Sequence, residues 1–211
     1  MAPDDVRRAW LQVARRDLAR LAVHWTKAAG GGGGFFGDRE PRREAVGVLE
    51  RILILEEATL RGGNGFIRGG HTCVCFTEAP LVEMVSVFAS VTLAGQALRY
   101  EPYGIGVSKE WLFQLGGRPV IYQPDGDYDR LPDDFRWRHC RFDPPDIDFT
   151  WEREWRIPAA RIGLDRAQTW VFVPTDDTAR QLADQRPGWR VVSLELFGLP
   201  SPGDVHHRRE A

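Results

Sequence analysis

The stretch Thr150-Trp151-Glu152-Arg153-Glu154-Trp155-Arg156 decides how the chain is read, because it gathers two tryptophans, two carboxylates and two guanidiniums in seven residues. As part of a strand over 149–157, its alternation puts Trp151, Arg153, Trp155 and Ile157 on one face. Thr150, Glu152, Glu154 and Arg156 fall on the other. The indole rings supply large apolar area to anchor such a strand. Like charges two apart on one face raise at least one carboxylate pKa unless a cation intervenes, and Arg156 stands where it would do so. Two uses stay open: a surface strand pairing with its neighbours, or a charged cleft built for chemistry.

The flanking sequence has the same short, β-type texture. Strands are expected over 103–108, 118–123, 169–173 and 189–196, with short helices over 109–115 and 176–185. Towards the N-terminus, Val6, Trp10, Val13, Leu18 and Leu21 recur at helical spacing behind Asp4 and Asp5, predicting an amphipathic first helix with a basic outer face. Leu21, Val23 and Trp25 then alternate with Ala22, His24 and Thr26 as a first strand. Gly30 to Gly34 break it, and the spacing predicts a mobile loop over 30–37 beside any site. Val46, Leu49, Ile52 and Leu53 predict a helix over 42–60. A strand over 72–77 follows, then a mostly buried helix after Pro80. Strands and helices that do not alternate in long βαβ units predict an α+β fold, with one domain over 1–199 and a flexible tail over 200–211.

Composition narrows the function classes. A chain of 211 residues buries a core without disulfides or metals, and its net charge of −2 gives no global attraction to phosphate backbones. Cys73, Cys75 and Cys140 are an odd, sparse set, and no signal-peptide core is visible, so a cytoplasmic location is expected. The apolar run near 85–95 is about half the ~20 residues of a membrane-spanning helix, so no membrane span is expected. The sequence has no P-loop, H-E-x-x-H or G-x-S-x-G motif, and no G-x-G-x-x-G directly after a strand.

Several residues invite chemical readings. His24 and Thr26 share one face of the first strand, where an imidazole and a hydroxyl would bind sugar hydroxyls or an amide. His71, Cys73 and Cys75 suggest a metal, but His71 and Cys75 stand roughly 13 Å apart along a strand, too far for one tetrahedral ion. No resident metal is therefore expected. Glu152, Glu154, Asp146 and Asp148 would offer oxygen ligands to Mg²⁺ in a nuclease reading. In Phe76-Thr77-Glu78-Ala79-Pro80-Leu81, Thr77 suits a helix cap and Glu78 or Glu83 the positive helix end.

Together, H-W-T, C-F-T-E-A-P-L, Y-G-I-G-V-S, R-P-V-I-Y and W-E-R-E-W-R resemble bacterial abortive-infection, phage-resistance families with similar C-F-T-E-x-P-L and E-x-E-W-R segments. The pattern is more distantly similar to the ADP-ribosyltransferase fold, including the DNA-targeting toxins. That resemblance implies an ADP-ribosyltransferase-like split mixed or antiparallel β-sheet core with flanking helices. It also implies NAD as a substrate, held by His24 and Thr26, with Glu154 and Glu152 as the catalytic carboxylates. Arg68, Arg99 and Arg156 are the arginines it leaves for the NAD phosphates, and the His24 and Glu154 strands are expected to face one cleft. A macromolecular acceptor, protein or nucleic acid, would take the ADP-ribose. The alternative is a non-catalytic antitoxin or immunity module with an operon-encoded protein partner, in which the Trp-flanked charged strand is an interface.

Overall fold

A computed structural model describes residues 20–27, 58–65, 67–93 and 100–200. The expected N-terminal helix, the glycine loop over 30–37, Arg99 and the tail over 201–211 lie outside the described residues.

The described chain runs β1 (Leu21–Lys27), β2 (Thr59–Arg61), β3 (Val74–Thr77), α1 (Leu81–Leu93), β4 (Tyr100–Ser108), α2 (Lys109–Gln114), β5 (Arg118–Pro119) and β6 (Ile121–Gln123). It continues through β7 (His139–Arg141), β8 (Glu154–Ile157), β9 (Arg161–Gly163), β10 (Thr169–Val173), α3 (Asp176–Gln185) and β11 (Arg190–Ser193). Seven strands form one sheet in the order β11-β10-β4-β1-β3-β8-β5. Its pairings are antiparallel except β10 with β11. Two small two-stranded sheets, β2-β9 and β6-β7, complete an α+β fold.

Both faces of the large sheet are covered. Ala22, Val74, Phe76, Ile105, Val107, Ile157 and Val171 pack against Leu112 of α2, Leu182 of α3 and Leu60 and Ile162 of the β2-β9 pair. On the opposite face Val23, Trp25 and Phe172 pack against Met84, Val85 and Phe88 of α1. Burying these side chains is the main favourable term holding the layers together. The Y-G-I-G-V-S run owes its glycines to this second face. A Cβ at Gly104 would stand 2.7 Å from a Trp25 ring carbon, and one at Gly106 2.6 Å from a Phe172 ring carbon. The indole and the phenyl ring therefore lie directly on the backbone of β4.

The helix starts follow local chemistry. Ser108 Oγ accepts from Trp111 N–H at the head of α2, and Thr175 Oγ1 accepts from Thr178 N–H at the head of α3, where Asp176 and Asp177 occupy the positive first turn.

Four expectations need correction. The helix expected over 42–60 cannot extend to its last residues, because Thr59 and Leu60 belong to β2 and pair with Gly163 and Ile162. The run 118–123 is not one strand. Val120 donates its N–H to Glu154 O, after which the chain leaves the large sheet and β6 pairs in parallel with β7. Helix α1 is less buried than expected, since Val82, Glu83 and Ser86 form an exposed face opposite Met84 and Val85. The last strand stops at Ser193, whose hydroxyl accepts from Glu195 N–H and starts a 3-10 turn over Leu194–Phe197.

Candidate functional site

The E-x-E-W-R stretch is a turn followed by a strand, not a strand throughout. Thr150–Glu152 forms one 3-10 turn, and Arg153 adopts the left-handed region at φ 46° before β8 begins at Glu154. The turn starts at Asp148, whose carboxylate accepts from Thr150 N–H at 2.9 Å and Thr150 Oγ1 at 2.6 Å. These bonds hold the Asp148 carboxyl below its ordinary pKa. A bulky residue at positive φ persists only where its surroundings over-determine it. Here Glu78 N–H donates to both Glu152 O and Arg153 O, and Thr77 Oγ1 donates to Glu152 O. The kink turns Glu152 out of the β8 alternation, so Glu152 and Glu154 do not form the paired ladder that a continuous strand would give.

Past the kink, Glu154 and Arg156 make a two-pronged ion pair. Arg156 Nε donates to Glu154 Oε1 at 2.8 Å and Nη2 to Oε2 at 2.9 Å. Arg156 Nη1 donates to His139 O at 2.7 Å and Trp137 O at 3.0 Å. Four of the guanidinium's five N–H groups are thus engaged inside the protein, with the residue 5% exposed. Burial alone would lower the Arg156 pKa, but the hydrogen bonds and charge of Glu154 more than reverse this and raise it. The Cys75 and Cys140 thiols feel the same Glu154 carboxylate. Burial, reinforced by that negative charge, pushes Cys140 up to about 12 and Cys75 further up. Burial pushes Cys73 up to about 11, Arg156 opposing and Glu154 reinforcing the rise. Such thiols stay protonated at neutral pH, which removes them as nucleophiles.

A second cluster sits where β3 and β4 end. The Glu78 carboxylate accepts from Lys109 Nζ at 2.5 Å and from Trp155 Nε1 at 2.6 Å, tying the turn after β3 to α2 and β8. This replaces the expected helix-end role of Glu78, leaving Glu83 in the first turn of α1. Thr77 Oγ1 accepts from Ala79 N–H two residues before α1 begins, so it closes the preceding turn and does not cap the helix. Tyr122 locks the same region from the other side: its hydroxyl accepts from Glu154 N–H at 2.9 Å and donates to Phe149 O at 3.2 Å. The Glu152 carboxylate, in a residue 8% exposed, accepts from Tyr100 OH at 3.2 Å.

The residues expected to hold NAD are not brought to one cleft. β3 lies between β1 and β8. Val23 pairs with Thr77 and Thr77 with Glu154, so these three side chains share a face. His24 pairs with Ile105 on the opposite face, where its ring meets Phe76 edge-on at 5.9 Å. Its Nδ1 lies 2.8 Å from Cys75 O. Thr26 is 2% exposed and donates to Tyr103 O at 3.0 Å. Arg68 pairs with Asp125 at 2.8 Å and stacks over Tyr128 at 4.4 Å. As placed, these side chains do not fit a single NAD site. Among the described residues, no three or more His, Cys, Asp or Glu side chains gather as metal ligands.

Sequence reasoning did not find the Glu78–Lys109–Trp155 and Tyr122 contacts. Each joins residues more than twenty-five positions apart, and although Glu78, Tyr122 and Trp155 lie in quoted motifs, nothing local in those motifs names their partners. No protein family, curated protein or solved structure matches the chain. Among the described residues no helix is long and apolar enough to cross a membrane.

Proposed function

We propose that this chain is a non-catalytic interaction module, of the antitoxin or immunity kind found in phage-defence systems, acting in the cytosol on an operon-encoded protein partner. One observation carries the reading: the charged groups of E-R-E-W-R are engaged with the protein itself. Arg156 clamps Glu154 and two backbone carbonyls, and Glu78 clamps Lys109 and Trp155. A catalytic carboxylate must act more strongly on a transition state than on its resting partners, and a bidentate, buried arginine salt bridge opposes that. The motif shared with phage-resistance families then marks a common fold, and recognition falls to the surface.

One observation favours the second reading, an ADP-ribosyltransferase or NAD glycohydrolase on a split ADP-ribosyltransferase-like sheet. H-W-T, C-F-T-E and E-W-R stand on three consecutive strands, β1, β3 and β8, although more than 120 residues separate the first from the last. Incubation with NAD, alone and then with Mg²⁺ and nucleic acid, separates the two readings. The interaction module releases no nicotinamide above a buffer control. Release that disappears in a well-folded Glu154→Gln variant would establish the second reading instead.

A further inference from the structure

The edge of the large sheet beside β5 differs from the rest of the described surface. Phe113 and Leu115, at the end of α2, are 51% and 44% exposed, and Phe135, in the 3-10 turn over Asp133–Arg138, is 45% exposed. Two guanidiniums join them. Arg118 lies over the Phe113 ring at 3.8 Å and is steadied by Nη1 bonds to Phe113 O and Gly117 O. Arg138 donates through Nε to Pro119 O at 2.9 Å and lies 5.6 Å from the Phe135 ring centroid.

The partners of these arginines are backbone carbonyls and aromatic rings. Among the described residues neither is paired with a carboxylate, although Arg136 in the same turn takes Asp133 at 2.9 Å and Arg156 takes Glu154. Burial and then the like charge of Arg118 pull the Arg138 guanidinium below its ordinary pKa, and an anion placed between the two would offset their mutual repulsion. Pairing of backbone edges cannot be the recognition mode, because β5 has two residues and one is Pro119, which lacks an N–H.

We propose that Phe113, Leu115, Arg118, Phe135 and Arg138 form a docking surface for a protein segment that presents a pair of carboxylates beside an apolar side chain. This rests on the interaction-module reading and names the chemistry of its partner. Arginine matches a carboxylate through two parallel N–H···O bonds, and stacking on an aromatic ring fixes its plane before the partner arrives. Aromatic residues and arginine together are the usual composition of protein-binding hot spots. A nucleic-acid backbone fits less well: it calls for a longer run of cations than two arginines, and the chain carries a net charge of −2.

The test uses the full chain and a fluorescein-labelled acidic peptide with two Glu-Glu pairs around a central Leu-Phe, read by fluorescence anisotropy at low salt. Binding is expected to weaken about tenfold or more when the glutamates are replaced by glutamine, and by a similar factor in Arg118→Ala/Arg138→Ala. Arg118→Lys/Arg138→Lys, which keeps the charge and loses the fork, should recover only part of it. Circular dichroism confirms that each variant is folded. Equal binding by wild type and the folded double alanine variant, or tighter binding of an oligothymidylate of equal charge, overturns the proposal. Nicotinamide release from NAD ends the interaction-module reading without restoring peptide binding to the alanine variant, so the two failures are told apart.

Discussion

Glu154–Arg156 in the interior and Arg118–Arg138 at the sheet edge use the same guanidinium chemistry under opposite conditions. In the interior, Arg156 is 5% exposed and meets a carboxylate in a two-pronged pair, with carbonyls taking further N–H groups. At the edge, two arginines stack on Phe113 and Phe135 with backbone carbonyls as their polar partners. Desolvating a charge is costly unless its hydrogen bonds are made, so the interior group is complete and serves the fold. The edge pair is held in position by rings and carbonyls while a carboxylate is still to be supplied. A charged motif is thus a weak guide to function until its partners are known.

The comparison breaks most readily at Arg156. Arg156→Met leaves the Glu154 carboxylate buried without its cation, and removing one partner of such a pair typically costs about 3–5 kcal/mol. Urea unfolding followed by tryptophan fluorescence measures this. A smaller loss, roughly 1–3 kcal/mol, is expected for Glu78→Gln, which removes the ion pair to Lys109 and weakens the bond from Trp155 Nε1.

Alkaline pH sharpens the interior side of the contrast. Folded Cys73 and Cys140 titrate near 11 and 12, above the ordinary thiol value of 9.0, so the unfolded chain loses these protons first. Over that window the folded state binds more protons, and stability falls as pH rises from about 9 towards 11 or 12 while remaining fully present below. Replacing Cys73 and Cys140 by Ser or Ala should flatten that slope in urea titrations taken across the range. At the sheet edge the expected effect on stability is the smallest. Arg138→Ala and Phe113→Ala should change the unfolding free energy by no more than about 0.5 kcal/mol, even where they weaken peptide binding.

Much of the fold was legible because its signals are local. The β-branched and aromatic run Thr169–Val173 and the short helical runs from Lys109 and Asp176 each depend on a few neighbouring residues, and the corresponding elements form where the pattern puts them. The E-R-E-W-R stretch was misread because its conformation is set from outside. Glu78 N–H and Thr77 Oγ1, more than seventy positions away, hold the kink at Arg153. His24 and Thr26 were correctly given to a strand with Trp25 turned to the opposite side. Their relation to Glu154, however, depends on β3 lying between the two strands, and pairing order is a property of the whole chain. The edge patch was not legible as a surface: Arg118 opens the R-P-V-I-Y run, but no short period links it to Phe113, Phe135 and Arg138.

The central claim is that the Glu154 and Arg156 charges of E-R-E-W-R act on each other, and a double-mutant cycle on Glu154→Gln and Arg156→Met measures that directly. Unfolding free energies of the wild type, both single variants and the double variant give the coupling between the two side chains. The account predicts a coupling of about 1.5 kcal/mol or more, with the double variant more stable than Arg156→Met alone. Effects that add within about 0.5 kcal/mol would contradict it, because two side chains that do not sense each other cannot be the clasp described here.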